Sequence, residues 1–160
     1  MESLNDIKAW LSQQLEIKGR AAATPKKKPG YRVLFNGPAG VDKMTTAQML
    51  GKEFGKEVHR VDLSRIVSKY IGETEKNIAA IFKEAEGKDW ILFFDEADAL
   101  FGKRTTVKDA HDRYANQEIN YLLQQLESYP GLAIIATNLK ANIDDAFIRR
   151  FQTVVKFPKA

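Results

Sequence analysis

The sequence predicts an α/β domain whose five-stranded parallel sheet is covered on both faces by helices. Three observations lead there. Short apolar runs of strand length alternate along the chain with longer stretches whose apolar residues recur at helical spacing. Those runs are nearly continuous rather than alternating, as strands buried on both faces require. The first of them also breaks into a Gly-rich turn that opens directly into a helix.

Taken in order, Ser3 caps a first helix over residues 4–18, with Leu4, Ile7, Leu11 and Leu15 at helical spacing and Trp10 beside them. Residues 19–30 read as a linker holding three alanines, two prolines and a lysine run, which leaves the first helix loosely tethered at the rim of a core domain spanning 31–160. Val33-Leu34-Phe35 is the centre of the first strand. A helix follows over residues 45–54, with Met49, Leu50 and Phe54 on one face.

Gly55 stops that helix and residues 57–62 form the second strand. Leu63 to Val67 make a single helical turn. Thr74 caps a helix to residue 86 with Ile78, Ile81, Phe82 and Ala85 as its buried stripe. The most hydrophobic strand, Trp90-Ile91-Leu92-Phe93-Phe94, ends abruptly in Asp95-Glu96. Residues 101–111 are polar and aperiodic, hence a loop. A long helix over 112–128 carries Tyr114, Ile119, Leu122, Leu123 and Leu126, and Pro130-Gly131 breaks it. A fourth strand over 132–137 ends at Asn138. A short helix over 144–151 carries Arg149 and Arg150, and residues 153–157 form the fifth strand.

Composition narrows the function classes. A chain of 160 residues supports one domain with a sizeable core, and 44% apolar content is ordinary for a globular protein. The longest apolar run falls far short of the roughly 20 residues a membrane helix needs. The opening Met1-Glu2-Ser3 is acidic and polar, so no secretory signal is expected. Without cysteine there are no disulfides or thiolate metal sites, and a cytoplasmic setting is the default expectation. The net charge of +4 is modest, and the one lysine cluster, Lys26-Lys27-Lys28, reads as solvated linker rather than a nucleic-acid face. His59 and His111 are far apart in sequence and read as surface or packing residues.

The chemistry concentrates at the first turn. Gly37-Pro38-Ala39-Gly40-Val41-Asp42-Lys43-Met44, set between a buried strand and a helix, has the phosphate-binding P-loop arrangement. Glycine lets the backbone curl so that N–H groups converge on a phosphate, the helix start adds its dipole, and Lys43 reaches the outer phosphates. Two positions depart from G-x-x-x-x-G-K-[ST]: Asp42 replaces glycine and Met44 replaces the hydroxyl residue. Asp42 crowds the loop and adds like-charge repulsion. The soft thioether of Met44 is a poor ligand for a hard cation, and Thr45 lies about 100° further around the helix.

The order P-loop, S-K-Y-I-G-E-T-E, I-L-F-F-D-E-A-D-A-L-F, I-I-A-T-N and I-D-D-A-F-I-R-R-F, over residues 31–158, resembles the AAA+ ATPases, in particular the AAA clade. The resemblance implies a three-layer P-loop NTPase fold with strand order 5-1-4-3-2. A small helical lid normally follows the fifth strand, and it is expected to be absent from a chain that stops at Ala160. ATP and Mg²⁺ are the implied cofactors, with Lys43 on the outer phosphates and Asp95 holding Mg²⁺. Glu96 would polarise the attacking water and Asn138 would orient it beside the γ-phosphate. Arg149 and Arg150 resemble arginine fingers acting on a neighbouring subunit, the choice between them open. Lys69-Tyr70-Ile71 resembles a pore loop that grips a threaded polypeptide. Lys103, Arg104, Lys108, His111 and Arg113 would form a basic second pore loop or a solvated one.

The implied function is an ATP-binding and ATP-hydrolysing domain for protein remodelling or translocation in a homo-hexameric ring. Nucleotide binding is expected to be impaired by Asp42 and Met44. The alternative is a catalytically inactive P-loop scaffold, monomeric as a lone chain. The letters D-E-A-D also invite a helicase reading, but S-A-T is replaced by A-T-N and the charge is low for a strand-tracking protein.

Overall fold

The computed structural model describes residues 2–19, 30–38, 43–70, 72–101, 110–138 and 148–157. Five strands form one sheet: β1 (Tyr31–Asn36), β2 (Val58–Asp62), β3 (Ile91–Asp95), β4 (Leu132–Thr137) and β5 (Thr153–Lys156). Every pairing is parallel and the order is β2-β3-β4-β1-β5, the expected 5-1-4-3-2 read from the other edge. The central strands are buried along their length because both of their faces are covered: all of Leu132–Thr137 in β4 and Ile91 to Phe94 in β3.

Helices α1 (Glu2–Gly19) and α2 (Lys43–Phe54) cover one face. There Ile7 and Leu11 of α1 and Ala47 and Leu50 of α2 pack with Val33, Phe35, Ile91, Phe93 and Ile134. Helices α3 (Leu63–Ile66), α4 (Glu73–Glu84), α5 (Asp98–Phe101) and α6 (Ala110–Ser128) cover the other. Their Leu63, Ile78, Leu100, Leu122 and Leu126 meet Leu34, Leu92, Phe94 and Ile135.

The first helix packs at the β5 edge of the sheet and against α2, with Ile7 and Leu11 fully buried and Trp10 against Tyr31, ring centroids 5.5 Å apart. Four local expectations are corrected. Ser3 lies within that helix rather than capping it. Met49 is 64% exposed, because the buried stripe of α2 is Ala47, Leu50 and Gly51. Gly51 itself is needed there, since an added Cβ would stand 2.6 Å from Val58 Cγ2 and 2.7 Å from the Lys56 carbonyl oxygen. Thr74 does not cap α4. Gly72, at φ 82°, holds the cap position, and Thr74 is buried as the second residue of the helix. The expected polar loop over 101–111 begins in helix at Phe101 and ends in helix at Ala110 and His111, and its residues 102–109 lie outside the described residues, as do 144–147 of the last expected helix.

Tyr129, just after α6, ties the chain entering β4 to the chain entering β3 by donating its hydroxyl to the Trp90 carbonyl. Burial, reinforced by the Asp89 carboxylate, pushes its phenol up to about 12. A group whose folded-state value lies above its unfolded one keeps its contribution at pH below the unfolded value, near 10. Stability should therefore fall as pH rises from about 10 to about 12. In Tyr129→Phe, urea midpoints across that window should decline less steeply than in the parent; equal slopes would assign the decline to other groups.

Candidate functional site

The site assembles where β3, β4 and β1 end side by side. Gly37 follows β1 at once, and its N–H donates to the Thr137 carbonyl at the end of β4, 3.1 Å away. A side chain at Gly37 would put Cβ 2.6 Å from Phe157 Cβ, so only glycine lets the chain pass between β4 and the end of β5. Lys43 opens α2 and folds back, its Nζ 3.2 Å from the Pro38 carbonyl oxygen. Met44, the second residue of α2, is half-buried against the apolar cluster under that helix. Ala39, Gly40, Val41 and Asp42 lie outside the described residues.

Asp95 ends β3 with its side chain 27% exposed. One carboxylate oxygen, Oδ1, accepts the Glu96 N–H at 2.9 Å, and Oδ2 accepts from Arg60. Glu96 is the one non-glycine residue among the described residues with positive φ, at 59°. Such a backbone persists only where its surroundings impose it, and it accumulates at functional sites. Glu96→Gly should relieve about 1–2 kcal/mol of left-handed strain, less about 0.4–1 kcal/mol for the freer unfolded chain. The urea midpoint of this variant is expected to rise. A fall would mean that Glu96 makes contacts worth more than its strain costs.

One further carboxylate had not been singled out in the sequence. Asp98, at the start of α5, accepts the Thr137 hydroxyl on Oδ1 and the Asn138 N–H on Oδ2 at 3.4 Å. Together with Ala97 N–H donating to the Ala136 carbonyl at 3.3 Å, it fastens the turn after β3 to the end of β4. That fixes the backbone of Asn138, which is exposed, against the turn that follows Asp95 and Glu96. Gly37, Pro38, Lys43, Asp95, Glu96 and Asn138 thus share one end of the sheet, the end where open α/β sheets hold ligands.

The remaining candidates lie elsewhere. Lys69 and Tyr70 project from the turn before α4, Tyr70 63% exposed with Lys69 Nζ 5.6 Å from its ring centroid. Ile71 is outside the described residues. Thr74 anchors this turn, accepting the Ser68 N–H at 2.8 Å, while Asn77 donates to the Ile66 carbonyl at 2.9 Å. Arg150 is held by Glu127 of α6 at 2.6 Å, whereas Arg149 is exposed. His59 stacks on Trp90, centroids 4.5 Å apart and planes 8° from parallel, as a packing residue. The side chains of His111 and Arg113 are outside the described residues, with Lys103, Arg104 and Lys108.

No helix of the described residues is long and apolar enough to cross a membrane. The donor set at the sheet end suits a hard divalent cation: a single strand-end carboxylate, to be completed by phosphate oxygens and water, is how Mg²⁺ is commonly bound.

Comparison with known proteins places the fold in a family. An "Uncharacterized AAA family ATPase y4kL" of Sinorhizobium fredii is 37% identical over 130 residues, covering 80% of this chain and 39% of the relative. "Cell division protein C" of Sulfolobus acidocaldarius is 36% identical, covering 94% of this chain and 44% of the relative. The chain therefore spans less than half the length of these relatives. Among solved structures, the FIGL-1 AAA domain in complex with ADP superposes with a TM-score of 0.62 at 27% identity, over 79% of this chain and 42% of that one. The sequence model of the ATPase family associated with various cellular activities matches residues 33–159. With that match over most of its length, and the sheet order the family implies, the chain belongs to the AAA family of ATPases.

Proposed function

We propose that this chain is the nucleotide-binding and hydrolysing core of a ring-forming ATPase that remodels or threads protein, with its nucleotide affinity lowered by Asp42 and Met44. The observation that carries the reading is the convergence of Gly37, Lys43, Asp95, Glu96 and Asn138 on one end of the sheet, with the Glu96 backbone held at positive φ. The ADP bound to the FIGL-1 AAA domain supports the same choice of ligand.

In this reading Lys43 neutralises charge on the outer phosphates and Asp95 holds Mg²⁺. When bound, the cation would supply neutralisation of phosphate charge. Glu96 accepts a proton from the attacking water, and the Asn138 side-chain amide, carried on a backbone held through Asp98, orients that water. Of the two arginines, Arg149 suits action on a neighbouring subunit's γ-phosphate, because Arg150 is engaged with Glu127 within its own chain. Tyr70, exposed on a turn braced by Thr74, suits sequence-tolerant contact with a threaded polypeptide. A homo-hexamer in a cytoplasmic setting follows from the same reading.

A second reading has its own observation. Met44, a thioether where a P-loop carries a hydroxyl, is half-buried against the apolar cluster beneath α1 and α2, which favours a scaffold without turnover. Phosphate release and sedimentation, each with and without ATP, separate the two. ATP-dependent assembly with turnover supports the motor, and a monomer without turnover supports the scaffold.

A further inference from the structure

Both carboxylate oxygens of Asp95 are occupied by the protein itself. Oδ1 accepts the Glu96 N–H, and Oδ2 accepts two bonds from one guanidinium, Arg60 Nε at 3.1 Å and an Arg60 terminal nitrogen at 2.8 Å. Arg60 lies on the edge strand β2, where it is in register with Phe93, while Asp62 is in register with Asp95. Alternation along β3 puts the side chains of Phe93 and Asp95 on one face, and Phe93 packs in the cluster under α2. Arg60 therefore leans one step along the strands to reach the carboxylate on the Lys43 side of the sheet. The pair is not buried: the side chains are 44% and 27% exposed. A long, solvated guanidinium can leave such a partner at little cost.

We propose that Arg60 is a tethered counter-ion that competes with divalent cations for Asp95, so that the cation loads well only when nucleotide phosphates arrive with it. This rests on the nucleotide-site reading above. A cation approaching Asp95 alone meets the positive charge of Arg60 and a carboxylate whose lone pairs are already engaged. Phosphates arriving with the cation bring negative charge that offsets this repulsion and offers the guanidinium another acceptor. Cation and nucleotide binding are thereby coupled through a residue of β2, with no movement of the sheet required.

The test uses Mn²⁺ as the probe, titrated into the full chain without nucleotide and followed by the electron paramagnetic resonance of free Mn²⁺. Arg60→Gln is expected to bind Mn²⁺ about tenfold more tightly than the parent, or about 1.4 kcal/mol. Arg60→Met, which keeps an apolar stem, should show the same gain and covers the case in which Arg60→Gln fails to fold. Adding Asp95→Asn to either variant should abolish the gain. Equal affinity in the parent and both Arg60 variants, or no saturable Mn²⁺ binding by either variant, overturns the proposal. If Asp95→Asn alone weakens Mn²⁺ binding while the Arg60 variants match the parent, Arg60 is only a clamp between β2 and β3 and the nucleotide site stands. A gain that survives Asp95→Asn places the cation elsewhere and removes the nucleotide-site reading with it.

Discussion

Asp42→Gly combined with Met44→Thr is expected to raise ATP affinity by about three orders of magnitude. Two unit charges about 4 Å apart at an effective dielectric near 20 interact by roughly 4 kcal/mol, which corresponds to roughly a thousandfold in affinity. A carboxylate at position 42 would impose a repulsion of that order on a β-phosphate, besides crowding a loop built for bare backbone. Threonine at 44 returns a hydroxyl to the turn where Mg²⁺ is bound in P-loops, in place of a thioether. The singly changed Asp42→Asn separates the two effects of the aspartate, since it removes the charge and keeps the bulk. Calorimetric or fluorescence titration with an ATP analogue, with and without Mg²⁺, reads all three chains. Failure of the double variant to gain affinity would mean that the motif is placed in the wrong register on this sequence.

Leu11→Ala should lower stability by about 2–5 kcal/mol, the cost of truncating a large aliphatic side chain in a well-packed core. Leu11 is fully buried with Ile7 against Val33, Phe35 and Val155, in the same cluster that carries Leu50 of α2. Truncation opens a cavity under the sheet face on which Lys43 begins its helix. The urea midpoint should fall for the whole chain as one transition, not for the helix alone. A loss below about 0.5 kcal/mol, the size expected of an exposed substitution, would mean that α1 is dispensable to the core. Because α1 and α2 share this cluster, loosening at Leu11 should also be visible as faster amide exchange at the start of α2.

The parts of the fold legible in the sequence were those where one physical demand dominates. Ile91 to Phe94 and Leu132 to Ala136 are buried on both faces, and only a central parallel strand needs so long an unbroken apolar run. The site residues at strand ends were legible because Asp95 and Asn138 interrupt those runs abruptly. What the sequence did not reveal depends on how distant segments register. The helical spacing of Leu4, Ile7 and Leu11 predicts a helix, but the linker after it carries no information about which surface that helix covers. Thr74 stands just where a cap would stand, and only the approach of the turn at Ser68 makes it an anchor instead. Arg60 looks like one more charge on a strand until the register of β2 with β3 brings it to Asp95. Asp98 sits two residues past the acidic pair that drew notice, and its work is done on β4, 39 residues away in sequence from Thr137.

The most direct test is a crystal of this chain soaked in millimolar ATP and Mg²⁺. The expected density places the β- and γ-phosphates against Lys43, with Asp95 beside the cation and Asn138 beside the γ-phosphate. A nucleotide bound with its phosphates touching none of Lys43, Asp95 and Asn138 would contradict it.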